Sequence, residues 1–139
     1  MAYGYVMDYE TMQNLFVAVF EDINTEQQNI FVIHKLRNDL TKFLEFLDGN
    51  IKKDERHVSF NGLAFDAQIT EYFLKHADRL LEISADAVAR EIYAEAQRII
   101  EQRDEGVFAD YNEWNMKIKQ LDLFKMNHWD NAAKRSSLK

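Results

Sequence analysis

The amino-acid sequence predicts an all-α or nearly all-α fold, a compact bundle of four to five helices. Proline is absent and glycine occurs only four times in 139 residues, so the residues that interrupt helices are nearly missing. Apolar residues also recur at helical spacing through most of the chain. These two observations favour helices over strands in every segment but one.

The stretch from Asp66 to Glu105 carries the longest helical pattern. Its first half places apolar side chains and His76 on one stripe, and its second half forms a stripe turned by more than a quarter of a revolution. One continuous helix covered on two sides would fit this pattern. Two helices with a break near Ser84 would also fit, because the serine hydroxyl is able to cap a new helix. The sequence favours the break, with the second helix ending at Gly106.

Two helices are predicted before this stretch. The first runs from Asp8 to about Ile23, where apolar residues follow the i, i+3, i+4 pattern. The second follows a capping box at residues 25–28 and stops at Gly49. Its apolar run at residues 30–33 is compatible with a short strand, but the flanking residues continue the helical period.

The only clear β signal lies at about residues 56–65. An Asn61-Gly62 dipeptide between β-branched and aromatic residues is typical of a type I′ turn, and it predicts a small hairpin. The alternative is an irregular loop, because an isolated hairpin is weak unless it packs on a larger structure. A last helix is predicted to begin at about residues 110–113.

Length and composition predict one domain over residues 1–130 and a basic tail over residues 131–139. The net charge is −7, with five acids and no bases among residues 1–34. Cysteine is absent, which excludes disulfides and cysteine-ligated zinc. The N-terminal residues lack a secretory signal pattern, and no run has the length of a membrane span. A cytoplasmic protein without membrane association is the expectation.

Motifs that carry familiar chemistry are missing from the sequence. No histidine has a glutamate three residues before it, as a di-iron helical bundle requires. There is no HExxH or EF-hand pattern and no glycine-rich phosphate loop. The sequence therefore predicts no metal, no cofactor and no enzymatic activity.

These observations favour a non-enzymatic interaction protein, an adaptor, regulator or inhibitor that binds a larger protein. Small proteins of this composition are common among virus and mobile-element products. The apolar surplus also predicts self-association into a homo-oligomer. The candidate partner-binding residues lie on the last helix and in the tail: Met116, Leu123, Phe124, Trp129, Lys134 and Arg135.

Two alternative functions remain open at this point. The first is a nucleic-acid-binding accessory protein, since lysine and arginine alternate with aromatic residues in the C-terminal region. The overall acidity favours a protein partner over nucleic acid. The second alternative is a helical ligand-binding or nucleotide-binding enzyme centred on His76, with Glu82 as a nearby carboxylate.

Overall fold

The computed structural model describes residues 2–59, 65–106, 111 and 115–123. Within these residues the chain forms a six-stranded mixed sheet and four helices, so the predicted all-α helical bundle is wrong. The strands are β1 (Ala2–Met12), β2 (Leu15–Asp22), β3 (Gln28–His34), β4 (Arg37–Asn38), β5 (Glu55–Ser59) and β6 (Gln120–Asp122). The helices are α1 (Leu40–Lys52), α2 (Asp66–Lys75), α3 (Ala77–Leu80) and α4 (Ala85–Asp104).

The sheet combines an antiparallel half with a parallel half. Its strand order is β4-β3-β2-β1-β5-β6. The strands β1 to β4 form an antiparallel meander. The chain then crosses through α1 to the other edge of β1, where β5 and later β6 add as parallel strands. The central strand β1 therefore has an antiparallel neighbour on one side and a parallel neighbour on the other.

The helix predicted from Asp8 to Ile23 is replaced by the end of β1, a two-residue turn and β2. Phe16 and Phe20 are four residues apart, a spacing that fits a helix but is also an even number. An even spacing keeps both rings on one side of a strand, and both are fully buried there. Val17 and Val19 between them are only partly buried. This alternation is the strand pattern.

The helix predicted over residues 25–48 divides into β3, β4 and the first part of α1. Phe31 and Ile33 are buried, whereas Ile30, directly before Phe31, is 46% exposed. Asp39 connects the strands to the helix, because its Oδ2 accepts hydrogen bonds from the Val32 backbone N–H at 3.0 Å and from Arg37 Nε at 2.7 Å. The helix therefore begins about fifteen residues later than the apolar period predicts.

The stretch from Asp66 to Glu105 is helical, as the sequence predicts, and the break at Ser84 is confirmed. Ser84 Oγ accepts a hydrogen bond from the Ala87 backbone N–H at 3.1 Å and caps α4. A second break occurs at His76, between α2 and α3. Gly106 follows the end of α4 with φ +76°, a conformation that favours glycine.

The predicted hairpin and the predicted last helix also differ from the structure. β5 lies in the hairpin segment, but its neighbours in the described residues are β1 and β6, both parallel to it. The Asn61-Gly62 turn lies outside the described residues. The described part of the predicted last helix is a turn and a bend leading into β6.

The core lies between one face of the sheet and the helices α1, α2 and α4. Phe43 of α1 is at its centre and is fully buried. Its ring centroid lies 5.7 Å from that of Phe16, 5.4 Å from Phe31 and 5.0 Å from Phe73 of α2. None of the described helices combines the length and apolar character needed to cross a membrane.

His57 of β5 is fully buried next to this core, and its protonation makes the stability of the fold depend on pH. Its Nε2 lies 2.9 Å from Asn50 Nδ2, and burial lowers its pKa from 6.5 to about 3. The unfolded chain binds a proton near pH 6.5, whereas the folded chain resists it, so stability falls as the pH drops below 6.5. Between pH 7 and pH 4.5 we expect a loss of roughly 2–3 kcal/mol from this residue.

Urea unfolding at several pH values measures this loss. The matched variant is His57→Gln, which removes the titrating ring and keeps a hydrogen-bonding side chain. It is less stable at pH 7, but its stability declines less between pH 7 and pH 4.5. Parallel pH dependences for the two proteins would contradict the assignment.

Candidate carboxylate site

Among the described residues, a gap lies beside β1 where this strand extends beyond its parallel neighbour β5. The last residues paired between the two strands are Val6 and Val58, and β5 ends at Ser59. The remainder of β1 has no strand on this side within the described residues. The chain continues from β1 to β2 on one side of this point, and from β5 toward β6 on the other side. Ligands of open sheets with parallel strands bind at such switch points, outside the carboxyl ends of the strands.

Asp66, the first residue of α2, lies at this gap. Its carboxylate accepts a hydrogen bond from the backbone N–H of Tyr9 in β1. Burial, together with the nearby carboxylate of Asp8, raises the pKa of Asp66 to about 7. The two carboxylates come from distant parts of the chain, and their mutual repulsion disfavours the state in which both are ionised.

Glu10 lies on the same side of β1 as Asp8, because residues two apart on a strand share a face. Both carboxylate residues are exposed, whereas Met7 and Tyr9 between and beside them are buried in the core. The strand therefore directs Asp8 and Glu10 away from the core, while the buried side chains of Met7 and Tyr9 anchor its backbone. Asp8 and Asp66 form the candidate carboxylate site, and Glu10 follows Asp8 on the same strand face.

Thr70 connects β1 to α2 and fixes the position of Asp66. The Tyr9 hydroxyl and Thr70 Oγ1 are hydrogen-bonded at 2.5 Å, and Thr70 Oγ1 donates to the backbone oxygen of Asp66 at 3.2 Å. Both Tyr9 and Thr70 are buried. Their hydrogen bonds hold the start of the helix against the strand that carries Asp8.

The same helix holds the segment before β6. The side-chain amide of Gln68 bonds the backbone of Tyr111 twice, donating to its oxygen at 2.7 Å and accepting from its N–H at 3.0 Å. Glu71 accepts the backbone N–H groups of Lys117 at 3.0 Å and Ile118 at 3.4 Å. Burial raises the pKa of Glu71, and these backbone donors oppose the shift. Glu71 therefore serves the packing of this segment, separate from the candidate carboxylate site.

The site contains a pair of carboxylates rather than a closed metal cage. Within the described residues no group of three or more histidine, cysteine, aspartate or glutamate side chains is placed to hold a metal ion. A pair is nevertheless sufficient for Mg²⁺, which proteins commonly bind through one or two carboxylates, with waters and substrate phosphates as the other ligands. Asp8 and Asp66 fit that donor set and do not fit a structural zinc site.

No family model, curated protein or solved structure matches this chain. Its function must therefore be inferred from its own geometry.

The partner-binding residues predicted from sequence do not form one helical face in the described structure. Met116 is buried, at 9% exposure, and Leu123 is 38% exposed just after β6. The other predicted residues lie outside the described residues: Phe124, Trp129, Lys134 and Arg135. The helix that was expected to align Met116 with Leu123 is absent from the described part of this segment.

The alternative ligand site is divided in the structure. His76 is partly buried, its ring 4.4 Å from that of Tyr72, and it borders a cavity of about 470 Å³ between α2, α4 and Tyr111. Glu82 is exposed in the turn after α3 and does not line that cavity. The two residues therefore do not share a site.

The acids of α4 near this cavity are paired. Glu91 accepts a hydrogen bond from the Tyr72 hydroxyl at 2.6 Å and forms a two-pronged ion pair with Arg79. Glu95 pairs with Arg98 at 2.6 Å. These contacts stabilise the packing of α2, α3 and α4, so the acids have structural partners.

Sequence reasoning missed the candidate carboxylate site because it assigned β1 to a helix. Asp8 and Glu10 point in different directions on a helix but in the same direction on a strand. The sequence did contain one indication of a strand: the acids Asp8 and Glu10 alternate with the apolar residues Met7 and Tyr9. Asp66 carried no signal of its own beyond its place at a helix start.

Proposed function

We propose that the protein is a divalent-cation-dependent hydrolase of phosphate esters, with Asp8 and Asp66 as its cation-binding groups. The observation that carries the proposal is the placement of Asp8 beside the partly buried Asp66, at the gap where β1 extends past β5. The expectation of a protein without catalytic activity stays untested, and this carboxylate pair argues against it.

The electrostatics of the pair favour a bound cation. The exposed carboxylate of Asp8 adds to the cost of ionising the partly buried Asp66, and a bound proton or cation relieves that cost. The raised pKa of Asp66 means that a proton is bound more readily here than at an ordinary aspartate. Oxygen ligands of this kind prefer Mg²⁺, Mn²⁺ or Ca²⁺ to softer metals. A divalent cation is therefore the ligand that best matches the site.

The surroundings of the pair favour an anionic substrate. A divalent cation at carboxylates supplies Lewis-acid activation of phosphoryl oxygens and of water. The helix α2 has ten residues and begins at Asp66, so its partly positive N-terminus lies at the same edge. Lys117 and Lys119 are exposed in the segment that α2 holds beside β6. The positive end of α2 favours an anionic group beside the acids.

A nucleic-acid strand is the phosphate ester that we favour as substrate. The sequence places further basic residues after β6, and these were the basis of the nucleic-acid alternative: Lys125, Lys134, Arg135 and Lys139. That alternative and the carboxylate site therefore support one function.

The experiment combines cation binding with hydrolysis. Purified protein is titrated with Mn²⁺ by calorimetry and incubated with a labelled single-stranded oligonucleotide or with bis(p-nitrophenyl) phosphate, with Mg²⁺, Mn²⁺ or EDTA. We expect cleavage that requires the cation and that Asp8→Asn reduces by at least about 100-fold, the scale of losing a charged catalytic group. The matched control is Asp104→Asn, which removes an exposed acid at the end of α4.

Equal activity in Asp8→Asn and Asp104→Asn would contradict the proposal. So would cleavage that persists in EDTA. If Mn²⁺ binds in an Asp8-dependent manner but neither phosphate ester is cleaved, the cation site stands and the hydrolase assignment is wrong.

A further inference from the structure

One face of the sheet carries no helix in the described part of the chain. The buried hydrophobic residues of β1, β2 and β3 belong to the opposite face, where α1, α2 and α4 pack. On the face without helices, Val6 is 44%, Met12 50% and Ile30 46% exposed. We call the part of this face that spans β1, β2 and β3 the open face.

The apolar residues of the open face adjoin one another on β2 and β3. Strand register places Val17 opposite Val32 and Val19 opposite Ile30. All four are β-branched, and none belongs to the core cluster. A solvated sheet face normally alternates to polar residues, whereas strands that are apolar on both faces belong to sheets covered on both sides. A further layer is therefore missing from the described structure.

The exposure of this face changes from one edge of the sheet to the other. Val58 of β5 lies on the same face as Val6, its register partner, yet it is only 6% exposed. The face is thus closed at β5 and open from β1 onward. The chain leaves the described structure on the closed side, just after β6, at Leu123.

We propose that residues 124–139 of this chain dock across the open face. This segment begins two strands away from β1, on the side where the face is already closed. As a helix its sixteen residues would span about 24 Å. Crossing from β6 to β3 requires four strand spacings, or about 19 Å. The length is therefore sufficient to cover β5, β1, β2 and β3.

The charges of the segment and of the open face are complementary. The segment has four bases and one acid, a net charge of +3, and includes Phe124, Met126 and Trp129 as large apolar residues. On the open face the register aligns three acids along β1 and β2: Asp8, Glu10 and Glu21. Arg37 at the far edge is already paired with Asp39 at 2.7 Å. A basic segment with apolar anchors matches an apolar surface bordered by acids.

Disulfide trapping in the full chain tests this docking, because the chain has no cysteine of its own. Val19→Cys places a thiol at the centre of the open face, and a second cysteine replaces Met126, Trp129 or Ala133 in turn. We expect an intrachain disulfide in at least one of the three pairs, at a rate independent of protein concentration. A disulfide requires Cα atoms within about 7 Å, so the bond reports direct proximity. The matched control is Thr41→Cys, exposed on α1, with the same three partners.

Exclusively intermolecular disulfides would overturn the proposal in favour of a second copy of the chain. Yields from Val19→Cys no higher than those from Thr41→Cys would also overturn it. A second readout uses single cysteines only: maleimide should modify Val19→Cys at least about tenfold more slowly than Thr41→Cys, because reaction requires the segment to open. Equal rates would exclude a covering layer. The disulfide and maleimide readouts require no hydrolase activity, so they test this docking separately from the proposed function.

Discussion

Asp66→Asn is expected to abolish cation-dependent hydrolysis and to stabilise the protein. The folded-state pKa of Asp66, about 7, lies above the ordinary value of 3.8. The unfolded chain therefore ionises first, and stability falls as the pH rises from about 4 to about 7. The neutral amide avoids this cost, and we expect the free energy of unfolding at pH 8 to rise by roughly 2 kcal/mol while activity falls at least about 100-fold.

Urea unfolding at pH 8 and at pH 4 separates this effect from an ordinary packing change. The gain in stability should be present at pH 8 and should largely vanish at pH 4, where Asp66 is protonated in the folded protein. Asp104→Asn, at an exposed position, should show neither the gain nor the loss of activity. A less stable Asp66→Asn protein at pH 8, or one that retains activity, would contradict the assignment of Asp66.

Phe43→Ala is expected to cost about 3–5 kcal/mol of stability, the range for truncating a fully buried aromatic residue. The ring of Phe43 contacts rings from β1, β2, β3 and α2, so its removal leaves a cavity between the sheet and both helices. Folded domains are stable by only about 5–15 kcal/mol, so this loss is a large fraction of the total.

Chemical denaturation of the purified proteins measures this cost. Lys42→Ala, one residue earlier and exposed, is the matched control and should change the unfolding free energy by less than about 0.5 kcal/mol. Phe43→Leu should recover part of the loss, because it refills much of the cavity. A cost below about 1 kcal/mol for Phe43→Ala would show that Phe43 is not central to the core.

The sequence predicted the helical half of the fold well. The stripes of residues 66–105 have a spacing that only a helix satisfies over such a length, and Ser84 supplied a local cap. The break at His76 was not predicted, because the apolar pattern continues through it.

The strands were missed because their turns contain neither glycine nor proline. β1 and β2 are joined directly by the pair Gln13 and Asn14. In the next turn, the Asp22 carboxylate accepts the backbone N–H groups of Asn24 and Thr25, and Glu26 adopts a φ of +62°. Asx turns of this kind reverse the chain with ordinary polar residues. A low glycine and proline content therefore did not exclude a sheet.

The candidate carboxylate site could not be derived from the sequence, since Asp8 and Asp66 are far apart along the chain. Their proximity depends on two tertiary features, the crossover that places β5 beside β1 and the hydrogen bond between Tyr9 and Thr70. The partner-binding prediction depended instead on a C-terminal helix, and part of that segment forms β6.

Most polar side chains of α2 are held in fixed directions by hydrogen bonds to other elements. Asp66 and Thr70 face β1, while Gln68 and Glu71 face the segment before β6. One residue inserted into a helix rotates everything that follows by about 100°. Such a shift would separate β6 and the strand bearing Asp8 from the helix at the same time. The length and rotational setting of α2 are therefore as constrained as the identity of its residues, and variation in this protein should accumulate in other elements.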